Sequence, residues 1–138
     1  MTIYAVFDTN VLVSAMLTRK ADAATSKVVK AVVDLNIVPL YNDQILAEYS
    51  KVMRREKFGF PEEQIEQMIS LIMAFGISSE RIDSNEIFQD KSDAVFYEVA
   101  LSKEGAYVVT GNIKDFPKKP IVVTPSEMVK ILEEAGLI

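Results

Sequence analysis

Apolar residues along this chain switch repeatedly between unbroken short runs and spacings of three and four. Ile3 to Phe7 is such a run, as expected of a strand covered on both faces, and Val11, Leu12, Ala15 and Met16 follow at helical spacing. Ala23 to Leu35 sets Ala24, Val28, Ala31, Val32 and Leu35 on one face, which predicts an amphipathic helix. Ile37 to Tyr41 reads as a second strand, and its Pro39 suits a sheet edge or strand end. After a cap at Asn42 or Asp43, a helix is expected from about Gln44 to Lys57, striped by Ile45, Leu46, Tyr49, Val52 and Met53. Pro61 starts another, with Ile65, Met68, Ile69, Ile72 and Met73 on its face and Gly76 as its stop. These two helices read as a paired helical arm.

Between Ile77 and Phe88 the pattern is weak, with room for one short strand at Arg81-Ile82-Asp83. Regular order resumes with a helix opened by Ser92 or Asp93 and facing inward through Phe96, Val99 and Ala100. The strand Ala106 to Thr110 and a last strand, Ile121 to Val123, come next. Thr124-Pro125-Ser126-Glu127 is a capping box with Pro at the first helical position, opening a helix that runs to Ala135 before Gly136. Strands alternating with helices in this order predict a parallel α/β sheet, helices on both faces, joined by right-handed crossovers.

Residues 1–138 are the size of one domain, long enough to bury about two-thirds of the unfolded surface. No apolar run nears the roughly 20 residues of a membrane span, and no basic segment with a cleavage site leads the chain, so a cytoplasmic location and no membrane partner are expected. The absence of Cys and His matters more. It removes disulfides, thiolate catalysis, Ser-His triads and His- or Cys-bound metals, leaving carboxylates, Lys, Ser, Thr and Tyr to carry any chemistry. A net charge of −5 argues against indiscriminate nucleic-acid binding but permits a local basic groove.

The carboxylates fall in a pattern. Asp8 ends the first strand, on the sheet edge where open parallel sheets bind ligands; Asp90 and Asp93 precede and open the helix feeding the late strand, and Asp115 follows that strand. Glu48 skirts the apolar stripe of its helix. Each acid has an ordinary alternative: Asp8 as a helix cap, Asp90 and Asp93 at a helix N-terminus, Asp115 solvated in a loop, Glu48 paired with Lys51. Together they would repel one another unless a hard divalent cation sat among them, and Mg²⁺ or Mn²⁺ prefers such ligands.

Four motifs carry a resemblance. They are Asp8-Thr9-Asn10-Val11-Leu12, Glu48-Tyr49, Asp90-Lys91-Ser92-Asp93 leading into Phe96-Tyr97-Glu98-Val99-Ala100, and Thr110-Gly111-Asn112 with Asp115-Phe116. In order and spacing they resemble the PIN-domain nucleases, especially the toxin-like bacterial branch that contains the VapC ribonucleases. The resemblance implies a PIN-like three-layer α/β/α sandwich with a central parallel sheet of four or five strands and a helical arm. It also implies a metal-dependent endoribonuclease that hydrolyses single-stranded RNA with Mg²⁺ or Mn²⁺, as the toxin of a toxin–antitoxin pair. Asp8, Glu48 and Asp93 then map onto the catalytic metal ligands, with Asp90 as a neighbouring acid. Many members carry an acid directly after Thr-Gly; here that position is Asn112, and the next carboxylate is Asp115.

On that reading Thr9, Asn10, Ser14, Thr110 and Asn112 would orient the carboxylates by hydrogen bonds. Lys51 and Arg55, one and two turns beyond Glu48, with Lys114 across the groove, would bind the RNA backbone. A homodimer and a cognate antitoxin protein are the partners implied, besides RNA. Asn112 keeps an alternative open, a weak or inactive module that binds RNA or protein without cutting. An aspartate-nucleophile phosphatase would need an acid two residues after Asp8, where Asn10 stands; a phosphoacceptor receiver domain would need paired acids near the first strand and an acceptor Asp after a middle strand.

Overall fold

The run Ile3–Phe7 forms β1, the middle strand of a five-stranded sheet in the order β3-β2-β1-β4-β5, every pair parallel. Its partners are β2 (Ile37–Tyr41) on one side and β4 (Tyr107–Val109) on the other; β3 (Ile77–Ser78) and β5 (Val122–Val123) lie at the edges. This is a computed structural model covering residues 1–138. Because β1 is flanked by strands and covered above and below, Ala5, Val6 and Phe7 are fully buried, which is why the run shows no polar alternation.

Six helices cover the sheet: α1 (Thr9–Leu17), α2 (Ala24–Val33), α3 (Asp43–Met53), α4 (Glu62–Phe75), α5 (Lys91–Ala100) and α6 (Pro125–Glu134). From β1 the chain winds outward through α1 and α2 to β2 and through α3 and α4 to β3. It then reverses, crossing back through α5 to β4 on the other side of β1. With right-handed crossovers that reversal puts α5 on the face opposite α2, where it packs on β1, β2 and β4, while α2 packs on α1 and α6. The result is the expected three-layer α/β/α sandwich. No helix is long and apolar enough to cross a membrane.

Several expectations are corrected. The middle strand is not Arg81–Asp83, which has no regular structure; it is Ile77–Ser78, directly after Gly76, paired with Leu40 and Tyr41 of β2. Strand β2 is therefore not an edge, yet β3 begins only opposite Leu40, so at Pro39 the missing N–H faces no second neighbour. Helix α2 stops at Val33, and Leu35, with φ of +66°, lies outside it and is largely exposed. Helix α3 stops at Met53 rather than Lys57, and Glu56–Phe58 makes one separate 3₁₀ turn.

The helical arm is seated rather than free: Ile45, Tyr49 and Met53 of α3 and Ile65 and Ile72 of α4 all belong to the central core. Gly76 ends α4 in extended backbone, not in the left-handed conformation of a usual glycine stop. What demands glycine there is space, since a Cβ would come within 2.4 Å of the Ile72 carbonyl and 2.5 Å of that of Pro39. The capping box at α6 forms as expected, Thr124 accepting from the Glu127 amide while Glu127 accepts from Thr124.

Candidate active site

Asp8 stands where the topology opens the sheet. Its strand is followed by helices that leave in one direction and β4 by a turn that leaves in the other, and such a switch point is where open α/β sheets leave a crevice. The backbone of Asp8 closes the sheet ladder, its amide donating to Val109 at 2.9 Å. It occupies the N-cap position of α1, yet its side chain makes no cap hydrogen bond. The carboxylate turns instead to β4, accepting at Oδ2 from Thr110 Oγ1 (2.8 Å) and Asn10 Nδ2 (3.0 Å). Thr110 is fully buried and in turn accepts from the Asn112 amide, while the other end of the Asn10 amide accepts from Gly111 N–H at 3.1 Å. Asp8 is thus locked by a net of neutral donors and paired with no cation.

Burial drives the Asp8 carboxyl above its usual range, opposed by Thr110, the Thr9 amide and Asn10 and reinforced by the charge of Asp115. Half-buried Asp93, on the first turn of α5, is pushed up to about 7, by burial first and then by Asp8, Asp90, Asp115 and Glu48. Acids from the end of β1, from α3, from the start of α5 and from the turn after β4 therefore share one field. Asp8, Glu48, Asp93 and Asp115 form no ion pair; the pairs in this protein are Lys30–Asp34, Arg54–Glu62, Arg81–Glu98 and Lys119–Glu86. Glu48 is half-buried on α3, and the pairing with Lys51 that its spacing allowed does not form.

The donor set suits a hard divalent cation: oxygen ligands only, clustered, unpaired, with an ionisation already strained by like charge. The Thr9 hydroxyl, buried beside Asp8 with no partner, adds an oxygen in want of a hydrogen bond. No three carboxylates converge closely enough for one ion to be held by all of them.

The remaining candidates divide. Asp90 does the cap work that Asp8 does not, accepting at Oδ1 from the Ser92 amide and hydroxyl; those bonds, the hydroxyl first, hold its carboxyl below the usual range, with Lys51 assisting. Asp115 is exposed in a 3₁₀ turn, Ile113–Asp115, that also carries Lys114. Ser14 is exposed on α1 and its hydroxyl reaches no carboxylate, and Asn112 contributes its backbone amide rather than its side chain. Lys51 is exposed near Asp90, but Arg55 lies beyond the end of α3, off the helical edge on which its spacing from Glu48 placed it.

Two residues were visible only as parts of motifs. Tyr49 reads as a stripe residue, but its hydroxyl donates to the Phe7 carbonyl at 2.6 Å, tying α3 to the strand that carries Asp8. Burial and the charge of Asp8 raise its pKa well above normal, so it remains a donor. Glu98 on α5 is buried and accepts from Arg81 Nε at 2.6 Å and from the Ser84 amide and hydroxyl, strapping the irregular 79–90 segment over the helix that presents Asp93. Burial alone would raise its carboxyl; Ser84 and Arg81 together bring it below the usual range. A buried Glu on the inner face of a helix is the signal that marks it.

No curated protein matches the chain. The pattern of the PIN domain family matches residues 4–114, well over half of it, taking in Asp8, Glu48, Asp90 and Asp93 and ending one residue before Asp115. With the parallel sheet and the acids that share one field at its switch point, the chain belongs to the PIN domain family, whose members are generally metal-dependent nucleases.

Proposed function

We propose that this PIN domain is an endoribonuclease that hydrolyses single-stranded RNA with Mg²⁺ or Mn²⁺ and serves as the VapC-like toxin of a toxin–antitoxin pair. The observation that carries the nuclease reading is the unpaired acid cluster, with Asp93 pushed up to about 7 by burial and by the acids around it. Asp8, Glu48 and Asp93 would hold the metal, with Asp115 the nearest further carboxylate. Once bound, such an ion supplies an activated water and neutralises charge on the phosphate. Thr110 and Asn10 fix the Asp8 carboxylate in one orientation through Oδ2, and Tyr49 fixes the end of its strand. Water, not the ribose 2′-hydroxyl, would be the nucleophile, so the products carry a 5′-phosphate and a 3′-hydroxyl.

Replacement of Asp8 tests this directly. Asp8→Asn keeps an acceptor for Thr110 and Asn10, removes a buried charge, and should leave the melting temperature unchanged or higher while cutting Mn²⁺-dependent cleavage of a single-stranded RNA by more than about a hundredfold, beyond the usual cost of losing a supporting residue. Full activity in that variant would sink the assignment. Mn²⁺ binding to the wild type without cleavage would favour the alternative, a binding module, to which Asn112 in place of an acid already points.

The toxin role follows from the likeness of the four motifs to the toxin-like branch of PIN-domain nucleases. In this reading a cytoplasmic homodimer acts on RNA and is restrained by a cognate antitoxin encoded beside it. Light scattering at micromolar concentration should give twice 15.4 kDa. A monomer would refute the dimer, and the lack of a small adjacent reading frame would turn the role towards RNA processing.

A further inference from the structure

We infer that the small polar pocket adjoining Asp8 through Asn10 takes the nucleoside beside the scissile phosphate and reads its base. The pocket holds about 250 Å³ between the first two turns of α1 (Asn10, Ser14), the first turn of α2 (Thr25) and the turn after β4 (Gly111, Asn112). Asn10 is the shared element. Its amide donates to Asp8 and accepts from Gly111, so a ligand in the pocket lies next to the acid cluster.

Charge decides what kind of group fits. No Lys, Arg, Asp or Glu lines the pocket, in contrast to the cluster beside it. A phosphate there would meet no cation and would lie close to Asp8, so the ligand is neutral. Val11 and Pro125 add apolar surface, whereas Ser14, Thr25 and Asn112 each present a side chain that makes no hydrogen bond within the protein. Two hydroxyls and one amide supply both donors and acceptors, which the mixed donor and acceptor edge of a base requires. Bases of single-stranded RNA are unstacked and are recognised along such edges. The volume, below the roughly 300–1,000 Å³ of drug-sized ligand sites, suits a single base or sugar. This also accounts for Ser14 and Thr25, which have no part in holding the carboxylates.

The inference rests on the nuclease reading, and two measurements separate their failures. The first titrates adenosine, guanosine, cytidine and uridine singly into wild-type protein, followed by amide NMR. One nucleoside should bind roughly tenfold better than the others, the discrimination expected of one good edge contact, and should move the signals of Thr25, Gly111 and Asn112. The variant Ser14→Ala with Thr25→Val should lose that preference while binding Mn²⁺ as the wild type does. The second measurement maps cuts in a mixed-sequence RNA, where a base preference next to the cut should be strong in the wild type and nearly absent in the double variant. Unmoved signals with all four nucleosides, or an unchanged cleavage pattern in the variant, overturn the pocket. Selective nucleoside binding in a protein that cuts no RNA upholds it and removes the nuclease.

Discussion

A carboxylate at the end of a strand can cap the helix that follows or face the crevice, and at Asp8 the two roles separate cleanly. The backbone takes the cap position while Oδ2 turns to Thr110 and Asn10. From the sequence the choice was open, because caps and ligands use the same residue at the same place. What settled the orientation is Thr110, 102 positions away, which the motif resemblance marked as an orienting residue and which the pairing of β4 with β1 brings beside Asp8. The field around Asp93 has a consequence for stability. Its folded pKa, about 7, lies above the 3.8 of an unperturbed Asp, so the folded state holds the proton more tightly than the unfolded chain does. That contribution is complete below about pH 4 and is lost as pH rises through 7. With chelator present, the melting temperature should therefore fall between pH 5 and 8, and Asp93→Asn should flatten the decline. Saturating Mn²⁺ should reverse the trend, because binding needs the ionised acid and releases its proton. A metal-free melting temperature that climbs from pH 5 to 8, untouched by Asp93→Asn, would contradict the field deduced around this residue.

Periodicity located every helix and four of the five strands, since burial imposes period on residues long enough to show it. It failed at β3, whose two residues, Ile77 and Ser78, are too few to make a pattern and are both exposed. That strand exists through its position: α4 ends where Gly76 alone can pass between the Ile72 and Pro39 carbonyls, and the next residues are delivered alongside Leu40 and Tyr41. Close approach of this kind leaves only a glycine in the sequence, which reads equally well as a helix stop. Arg55 was misplaced for a related reason. Extending the α3 stripe to Lys57 put it on the same edge as Glu48, but the helix ends at Met53 and Arg55 enters a new turn in extended conformation. The 79–90 strap escaped entirely, because polar contacts from Arg81 and Ser84 to Glu98, and Phe88 between Tyr97 and Phe116, hold it rather than any repeat. The sheet edge that carries the acids, in contrast, was legible, because Asp8 ends the first strand and a parallel α/β order puts the ends of all its strands on one side.

At the scale of the whole molecule the proposed activity raises the question of how a chain of net charge −5 would keep an RNA strand against a cluster of acids. A uniform field would repel it, so affinity has to come from local cations free to meet phosphates. Three of the basic residues are already engaged: Arg54 with Glu62, Arg81 with Glu98, and Lys119 at 3.8 Å from Glu86. Lys51, exposed on α3 in the field of Asp90, and Lys114, beside Asp115, are not. Lys114 also borders a cavity of about 330 Å³ with Lys118 and Lys119 over Ile113 and Phe116, on the turn that leaves β4. The acid cluster thus has Lys51 on the α3 side and a basic loop on the β4 side, and on the proposed reading an RNA strand would lie across the ends of β1 and β4. Backbone binding of this kind announces itself through salt, each phosphate neutralised on a single strand adding roughly 0.7 to the log–log slope. Lys51→Ala combined with Lys114→Ala should therefore weaken binding of a single-stranded RNA at low salt for every sequence tried, and flatten the slope by that amount for each phosphate left without its ammonium. Mn²⁺ affinity should stay within about twofold, since neither ammonium is a ligand. An unchanged slope in the double variant would return both lysines to the solvated surface and require the RNA to take another path.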